Sequence, residues 1–240
     1  MRLTAVTFSA LAMLTGAASA ADIMMPAQTG WEPPQAETSA RGDRFYAALF
    51  GGAAFSEGVD YSSSNEINYL GDGTMNLDTG YSVDGAIGYA HEKGLMLEGQ
   101  IGYAALAPNS ATFYSVGTDT DYEFGADGQI SVLYAMANLW YGFDMGGITP
   151  FVGAGVGYAH ISLDAQYDEP FAAASFETDA DTYAWQVGAG VAVDITPTVE
   201  LVARYRYLAT GEVTVIDGQG SSVKASLATS IVDAGLRAGF

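Results

Sequence analysis

Cysteine is absent from the 240 residues, and lysine and arginine number 8 against 28 aspartates and glutamates, a formal charge of −20. The first absence excludes disulfides, thiolate metal sites and a thiol nucleophile in any compartment. The second excludes nucleic-acid binding, because no basic stripe exists to offset a phosphate backbone. Beyond the N-terminus no apolar run approaches the ~20 residues that a membrane-spanning helix needs. Yet 49% of residues are apolar, only 15% are charged, and there are 30 Gly, 15 Tyr, 11 Phe and 3 Trp. A Gly- and Tyr-rich chain so poor in charge reads as β structure.

Arg2 precedes an apolar stretch from Leu3 to Leu14, and Ala18-Ser19-Ala20 then supplies the small residues a signal peptidase accepts. This predicts an export signal over 1–20. Residues 21–43 carry Pro26, Pro33 and Pro34 among polar residues without period, which predicts a flexible periplasmic leader with Trp31 as its one large aromatic.

From Arg44 the chain breaks into eight segments of about ten residues or more, long enough to cross hydrocarbon as tilted strands. Their expected cores are 44–55, 79–90, 95–106, 129–143, 150–163, 182–194, 199–210 and 227–240. The links alternate: 91–94, 144–149 and 195–198 are short, whereas 56–78, 107–128, 164–181 and 211–226 are long. That asymmetry belongs to an eight-stranded antiparallel up-and-down barrel with periplasmic turns and four long extracellular loops. Alternation sets the faces. Leu201, Ala203, Tyr205 and Tyr207 oppose Glu200, Val202, Arg204 and Arg206; Val232, Ala234, Leu236, Ala238 and Phe240 oppose Asp233, Gly235, Arg237 and Gly239. The run Phe45-Tyr46-Ala47-Ala48-Leu49-Phe50 is apolar at both parities, so its register is unreadable. Two aromatic belts are expected: Phe45, Tyr89, Tyr141, Phe143, Phe151 and Phe240 at the periplasmic end, and Tyr81, Tyr103, Tyr158, Tyr183, Trp185 and Tyr207 at the outer end. A soluble barrel of lipocalin type would turn its apolar face inward and leave the inward parity of Glu200, Arg204 and Arg206 unexplained.

The run Pro150-Phe151-Val152-Gly153-Ala154-Gly155-Val156-Gly157-Tyr158-Ala159 carries one set of motifs. The stretch from Tyr183 through Gln186-Val187-Gly188-Ala189-Gly190-Val191 to Thr196-Pro197, and Arg204-Tyr205-Arg206-Tyr207-Leu208, carry the rest. Together they resemble the small outer-membrane β-barrel family of opacity proteins, outer-membrane protein A transmembrane domains and alphaproteobacterial surface antigens, over about 44–240. The resemblance implies outer-membrane location and no cofactor. It implies partners in lipid, lipopolysaccharide and, through the loops, host or cell-surface ligands. Phe240, with apolar residues at alternate positions before it, resembles the signal read by the barrel-assembly machinery. The chain departs from outer-membrane protein A in ending at the barrel, so wall tethering is not expected.

The inward parity gathers Asp84, Glu98, Glu200 and Asp233 with Arg204, Arg206 and Arg237, four acids against three bases. An interior of this size is just wide enough for side chains to fill, so the expected structure is a hydrogen-bonded plug, with a narrow gated pore as the alternative. Gly153, Gly155, Gly157, Gly188 and Gly190 share that parity and are expected to make room beside Arg and Tyr side chains. The long links hold 17 acids and one base, Lys224. Asp119, Asp121 and Glu123 alternate, as do Glu177, Asp179 and Asp181; each trio in extended chain would line one face and could share divalent cations with lipopolysaccharide phosphates. Neither fits an EF-hand, since Phe124 and Ile130 occupy the Gly and Glu positions; a solvated loop surface is the plainer reading. Gly71-Asp72-Gly73 and Asp217-Gly218-Gln219-Gly220 are expected as hairpin turns. His160-Ile161-Ser162, with Asp164 on the same parity, resembles the His-x-Ser pair of lipid A deacylase barrels, though Leu163 stands where that family has Asn. His91 lies in a turn, so no His-based metal site is expected. The expectation is a non-enzymatic barrel that serves envelope integrity and surface interaction.

Overall fold

The computed structural model describes residues 43–56, 58–64, 69–167, 174–216 and 222–240. The expected export signal, the leader up to residue 42 and the turn at 217–220 lie outside the described residues. In chain order the strands are β1 (Arg44–Phe55), β2 (Val59–Ser64), β3 (Tyr69–Leu77), β4 (Gly80–Ala90), β5 (Leu95–Leu106), β6 (Pro108–Ser115), β7 (Thr120–Gly142), β8 (Ile148–Tyr167), β9 (Ala174–Asp194), β10 (Val199–Thr210), β11 (Val213–Ile216), β12 (Ser222–Ala225) and β13 (Ala228–Gly239).

Eight of these, β1, β4, β5, β7, β8, β9, β10 and β13, form an antiparallel wall. β1 pairs with both β4 and β13, and β7 pairs with β8, so the wall closes on itself and each strand finds a partner on both sides. The described residues of the long links are mostly strand. β2, β3, β6, β11 and β12 join the upper part of β7 in a second antiparallel sheet, in the order β11-β12-β2-β3-β6-β7. β8 and β9 rise together as a long hairpin arm. The expected turn at Gly71-Asp72-Gly73 is a correction: it lies inside β3, with Gly73 opposite Tyr61, whose ring occupies the space a Cβ would take.

The wall carries its apolar face outward. Leu49, Ile87 and Val156 are 73%, 70% and 67% exposed, and Leu97, Ile101, Leu133, Leu139, Val232 and Leu236 share that surface. Only hydrocarbon solvates such a band at no cost. In β1 the unreadable register resolves with Tyr46, Ala48 and Phe50 inward and Phe45 and Leu49 outward. Both belts form: Phe45 lies against Tyr89 (ring centroids 5.3 Å) and Tyr141 against Phe143 (5.0 Å) at the turn end, while Tyr81 meets Tyr103 (6.2 Å) and Trp185 meets Tyr207 (5.7 Å) at the other. Phe151 is the exception. It points inward and packs edge-on against Trp140 at 5.6 Å, because its parity on β8 is that of Gly153 and Gly155.

Large inward rings sit directly opposite glycines. Tyr46 faces Gly88, Phe50 faces Gly235, Tyr134 faces Gly102, Trp140 faces Gly153 and Phe151 faces Gly190. A Cβ at Gly102 would lie 2.3 Å from the Tyr134 ring, and one at Gly153 would lie 2.4 Å from the Trp140 ring. The narrow lumen therefore accepts a ring only where its cross-strand neighbour has no side chain. Of the five glycines expected to make room for Arg and Tyr, Gly188 lies beside Arg206, while Gly153, Gly155, Gly157 and Gly190 lie beside Trp140, Asn138, Met136 and Phe151.

Two outcomes test this arrangement. Ala203→Arg, outward on β10, should destabilise the barrel by ~2–4 kcal/mol in a lipid folding titration, and a neutral result would mean that the faces are reversed. Gly102→Ala should cost about 1–3 kcal/mol in the same assay through the forced shift of Tyr134, against no change if the ring has room to spare.

Candidate functional site: the filled lumen and the extracellular sheet

All seven residues expected on the inner face, Asp84, Glu98, Glu200, Arg204, Arg206, Asp233 and Arg237, are buried. Six of them, all but Glu98, form two groups. In the first, Arg204 and Arg206 stand two residues apart on β10 and both reach Asp84 on β4 and Asp233 on β13. Arg204 Nε and Nη2 donate to Asp233 Oδ1 and Asp84 Oδ1, each at 2.8 Å, and its guanidinium lies 3.3 Å over the Phe50 ring. Arg206, with no exposed surface, donates from Nη2 to Asp84 Oδ2 at 2.8 Å and to Asp233 Oδ2 at 2.6 Å, and from Nη1 to Gln186 Oε1 at 3.2 Å. Two guanidiniums against two carboxylates leave no net charge, the condition under which buried ions persist.

A relay of amides carries the hydrogen bonding onward. Gln100 Nε2 donates to Asp84 Oδ1 (2.7 Å), Gln186 Nε2 to Gln100 Oε1 (2.8 Å) and Asn138 Oδ1 (2.6 Å), and Asn138 Nδ2 to Gln100 Oε1 (2.8 Å) and Glu98 Oε1 (2.9 Å). Glu98 differs from the other inner acids. It has no cationic partner among the described residues; Tyr46 Oη, Trp140 Nε1 and Asn138 Nδ2 donate to it at 3.0, 3.0 and 2.9 Å. The second group lies nearer the turns, where Glu200 is gripped by Arg237 Nε and, at 2.6 Å, by Arg44 Nη2. Arg44 is the base missing from the sequence count and brings it to four against four.

Apolar clusters pack in the lumen on both sides of the first group. Toward the loops Leu106, Ile130, Val132, Leu208, Leu227 and Ile231 pack together with Met75 of β3, and Val59, Tyr61 and Leu77 of the extracellular sheet lie on them. Toward the turns Phe50, Met96, Trp140, Phe151 and Val202 form the second cluster. One face of the extracellular sheet thus continues the core of the barrel. The other is polar, with Lys224, Ser62, Asp72, Tyr114 and Asp121 in one cross-strand row above a groove of about 470 Å³.

The acidic trios divide. Asp119 does not extend the alternation of Asp121 and Glu123: it sits in a turn with φ 51° and accepts the Tyr114 phenol at 2.7 Å, a bond that raises the Tyr114 pKa above the usual phenol range. Asp179 and Asp181 flank His160 on the neighbouring strand, at 3.9 Å from Nε2 and 2.9 Å from Nδ1. The side chain of Glu177 lies outside the described residues. No cluster of three or more His, Cys, Asp or Glu with metal-holding geometry occurs among the described residues. Ser162 shares the outward face with His160, but the carboxylates, not the hydroxyl, face the imidazole nitrogens. Phe240 continues the outward parity of β13 and its amide donates to Phe45 O at 2.9 Å.

At the turn end Asp43 accepts Tyr89 Oη at 2.6 Å and Glu92 N at 3.0 Å, and these donors hold its carboxyl below the usual carboxylate range. The clamp on the rim is therefore complete above the ordinary carboxylate pKa and is lost as pH falls through the lowered one.

The two kinds of inner carboxylate should respond differently. Asp233→Ala strands two guanidiniums and should cost ~3–5 kcal/mol in a lipid unfolding titration. Glu98→Gln keeps an acceptor for neutral donors and should cost about 1–2 kcal/mol. Equal losses would contradict the division into ion-paired and amide-held groups.

The closed eight-stranded wall has known counterparts. It is similar to the outer membrane protein OprG of Pseudomonas aeruginosa (14% identity, 83% of this chain and 96% of that one, TM-score 0.56) and to the outer membrane protease OmpT of Escherichia coli (8%, 82% and 97%, 0.51). Neisserial surface protein A also matches, at 18% identity over 83% of this chain and 99% of that one, with a TM-score of 0.47. At these identities the likeness concerns the fold alone. No curated protein matches the chain in sequence. The family model described as the outer membrane protein beta-barrel domain matches residues 8–229. The chain belongs to that family, and the wall described above is that of a small β-barrel protein of the outer membrane.

Proposed function

We propose that the barrel is a non-conducting, non-enzymatic surface protein that supports envelope integrity and makes contacts through its extracellular sheet. The observation that carries this reading is the filled lumen. Asp84, Asp233, Arg204 and Arg206 satisfy one another between two apolar clusters, and Met75 seats the extracellular sheet on the upper one. Opening a water path would break buried ion pairs and expose Leu106, Ile130 and Leu208 together, each change costly by itself. In this reading residues 1–20 direct export, 21–43 form a periplasmic leader, Phe240 is presented to the assembly machinery, and the loop acids keep the outer surface solvated beside lipopolysaccharide. Asp121, Glu123, Asp179 and Asp181 are exposed there, where divalent cations could join them to lipid phosphates.

A narrow gated pore is the second reading. It draws on the continuous polar path from Arg206 through Gln186, Asn138 and Glu98, and it requires the upper apolar cluster to part. Planar-bilayer recording separates the two. The purified barrel should give no discrete conductance steps, and Arg206→Glu should create none; steps in the wild type that change with Arg206→Glu would establish the pore. A lipid A hydrolase would instead remove acyl chains, so mass spectrometry of lipid A from expressing cells should read the same for the wild type and Ser162→Ala.

A further inference from the structure

We infer that the periplasmic mouth of the barrel holds a binding site for a small oxyanion, built by Arg44, Arg237 and Lys93. These three residues line a cavity of about 250 Å³ at the turn end, with His91 beside them. The placement is selective. Of the six Lys and Arg among the described residues, Arg204 and Arg206 are neutralised by Asp84 and Asp233, and Lys224 is paired with Glu212 at 2.9 Å. The other three share one cavity in a chain whose net charge is −20.

The guanidiniums there are under-used. Arg44 and Arg237 divide one carboxylate, Glu200, between them. Arg44 Nε is buried and has no acceptor among the described residues. Arg237 Nη1 is left with the thioether of Met96 at 3.3 Å, a weak acceptor. A buried donor without an acceptor costs free energy, and a guanidinium fork is matched best by carboxylate or phosphate. The acids of the cavity wall do not fill that role: Asp144 Oδ1 accepts the amide of Gly146 at 2.9 Å in its own turn, and Glu92 is exposed to solvent. Lys93, exposed on the β4–β5 turn, adds a point charge to the lining, and His91 Nδ1 accepts the Lys93 amide at 3.1 Å, which fixes that turn. The cavity has room for an oxyanion group and part of the molecule that carries it, such as the phosphate of a lipid headgroup or the terminal carboxylate of a peptide.

The site is independent of what the loops contact and of whether the lumen conducts. The test uses the folded, ¹⁵N-labelled chain in detergent micelles, with the Arg44 Nε–Hε resonance as reporter. Three probes are titrated separately: inorganic phosphate, acetyl-Ala-Ala with a free carboxylate, and the same peptide as its amide. Phosphate or the free acid should shift the reporter saturably, and the amide should not. Response to phosphate alone points to a headgroup, and response to the free acid alone points to a peptide terminus. Arg44→Lys, which keeps the charge on Glu200 but removes the fork, and Lys93→Gln should each weaken binding by about tenfold or more, the loss of one charge-assisted hydrogen bond. For the Arg44→Lys variant, the Arg237 Nε–Hε resonance serves as reporter. Lys224→Gln, which removes a cation at the far end, should bind as the wild type does. The inference is overturned if no probe shifts the reporter, if the amide shifts it as the free acid does, if Arg44→Lys and Lys93→Gln bind as the wild type does, or if Lys224→Gln weakens binding equally.

Discussion

Inside the barrel Arg204 and Arg206 pair with Asp84 and Asp233, and the packing of the lumen is arranged around that neutral set. A wall whose outer face is Leu, Ile, Val and Ala can be solvated only by lipid, so the inner face must hold whatever polar groups the chain carries through the membrane. Four ionised side chains in so narrow a lumen are tolerable only if each finds its counterion at hydrogen-bond distance, and here each does. The network ties three wall strands, β4, β10 and β13, and the Gln100–Gln186–Asn138 amides extend it to β5, β7 and β9. Strand pairing around the circumference and side-chain bonding across the lumen thus enforce the same register.

Packing around that network follows a second constraint, the width of the lumen. Rings enter opposite glycines, so the five ring–glycine pairs work as inserts that fix strand register wherever they occur. The extracellular sheet obeys the same economy. Its apolar face continues the core upward from Leu106 and Ile130 to Met75, and its polar face meets solvent. The loops are in this sense a second layer of the fold, resting on the barrel, and their outer rows of Asp, Ser, Thr and Lys are what the cell exterior encounters.

The wall was legible in the sequence because alternation and link length report it directly. Arg204 and Asp233, and Glu200 and Arg237, each follow the inward parity of their strands and prove to be cross-strand pairs. What escaped had weaker signals. Arg44 opens a strand apolar at both parities, so nothing marked it as inward until Tyr46 and Phe50 showed the register. Asn138 and Gln186 are neutral amides within apolar runs, without the charge contrast that drew attention to Glu98. Phe151 looked like a belt residue because it starts a strand, and only its shared parity with Gly153 betrays its inward course. The extracellular strands were hidden by composition: Asp60, Ser62, Asp72 and Thr74 carry the polar row of that sheet, so β2 and β3 read as loop until the opposite row, Val59, Tyr61 and Met75, is seen packed on the barrel mouth.

Buried charges that face one another across the lumen stabilise the barrel, and a double-mutant cycle on Arg204 and Asp233 in lipid bilayers measures that coupling. Arg204→Ala and Asp233→Ala together should destabilise the barrel by far less than the sum of the single changes, with a coupling above about 1.5 kcal/mol. Strict additivity would mean that the two side chains do not sense each other and that their pairing does not stabilise the barrel.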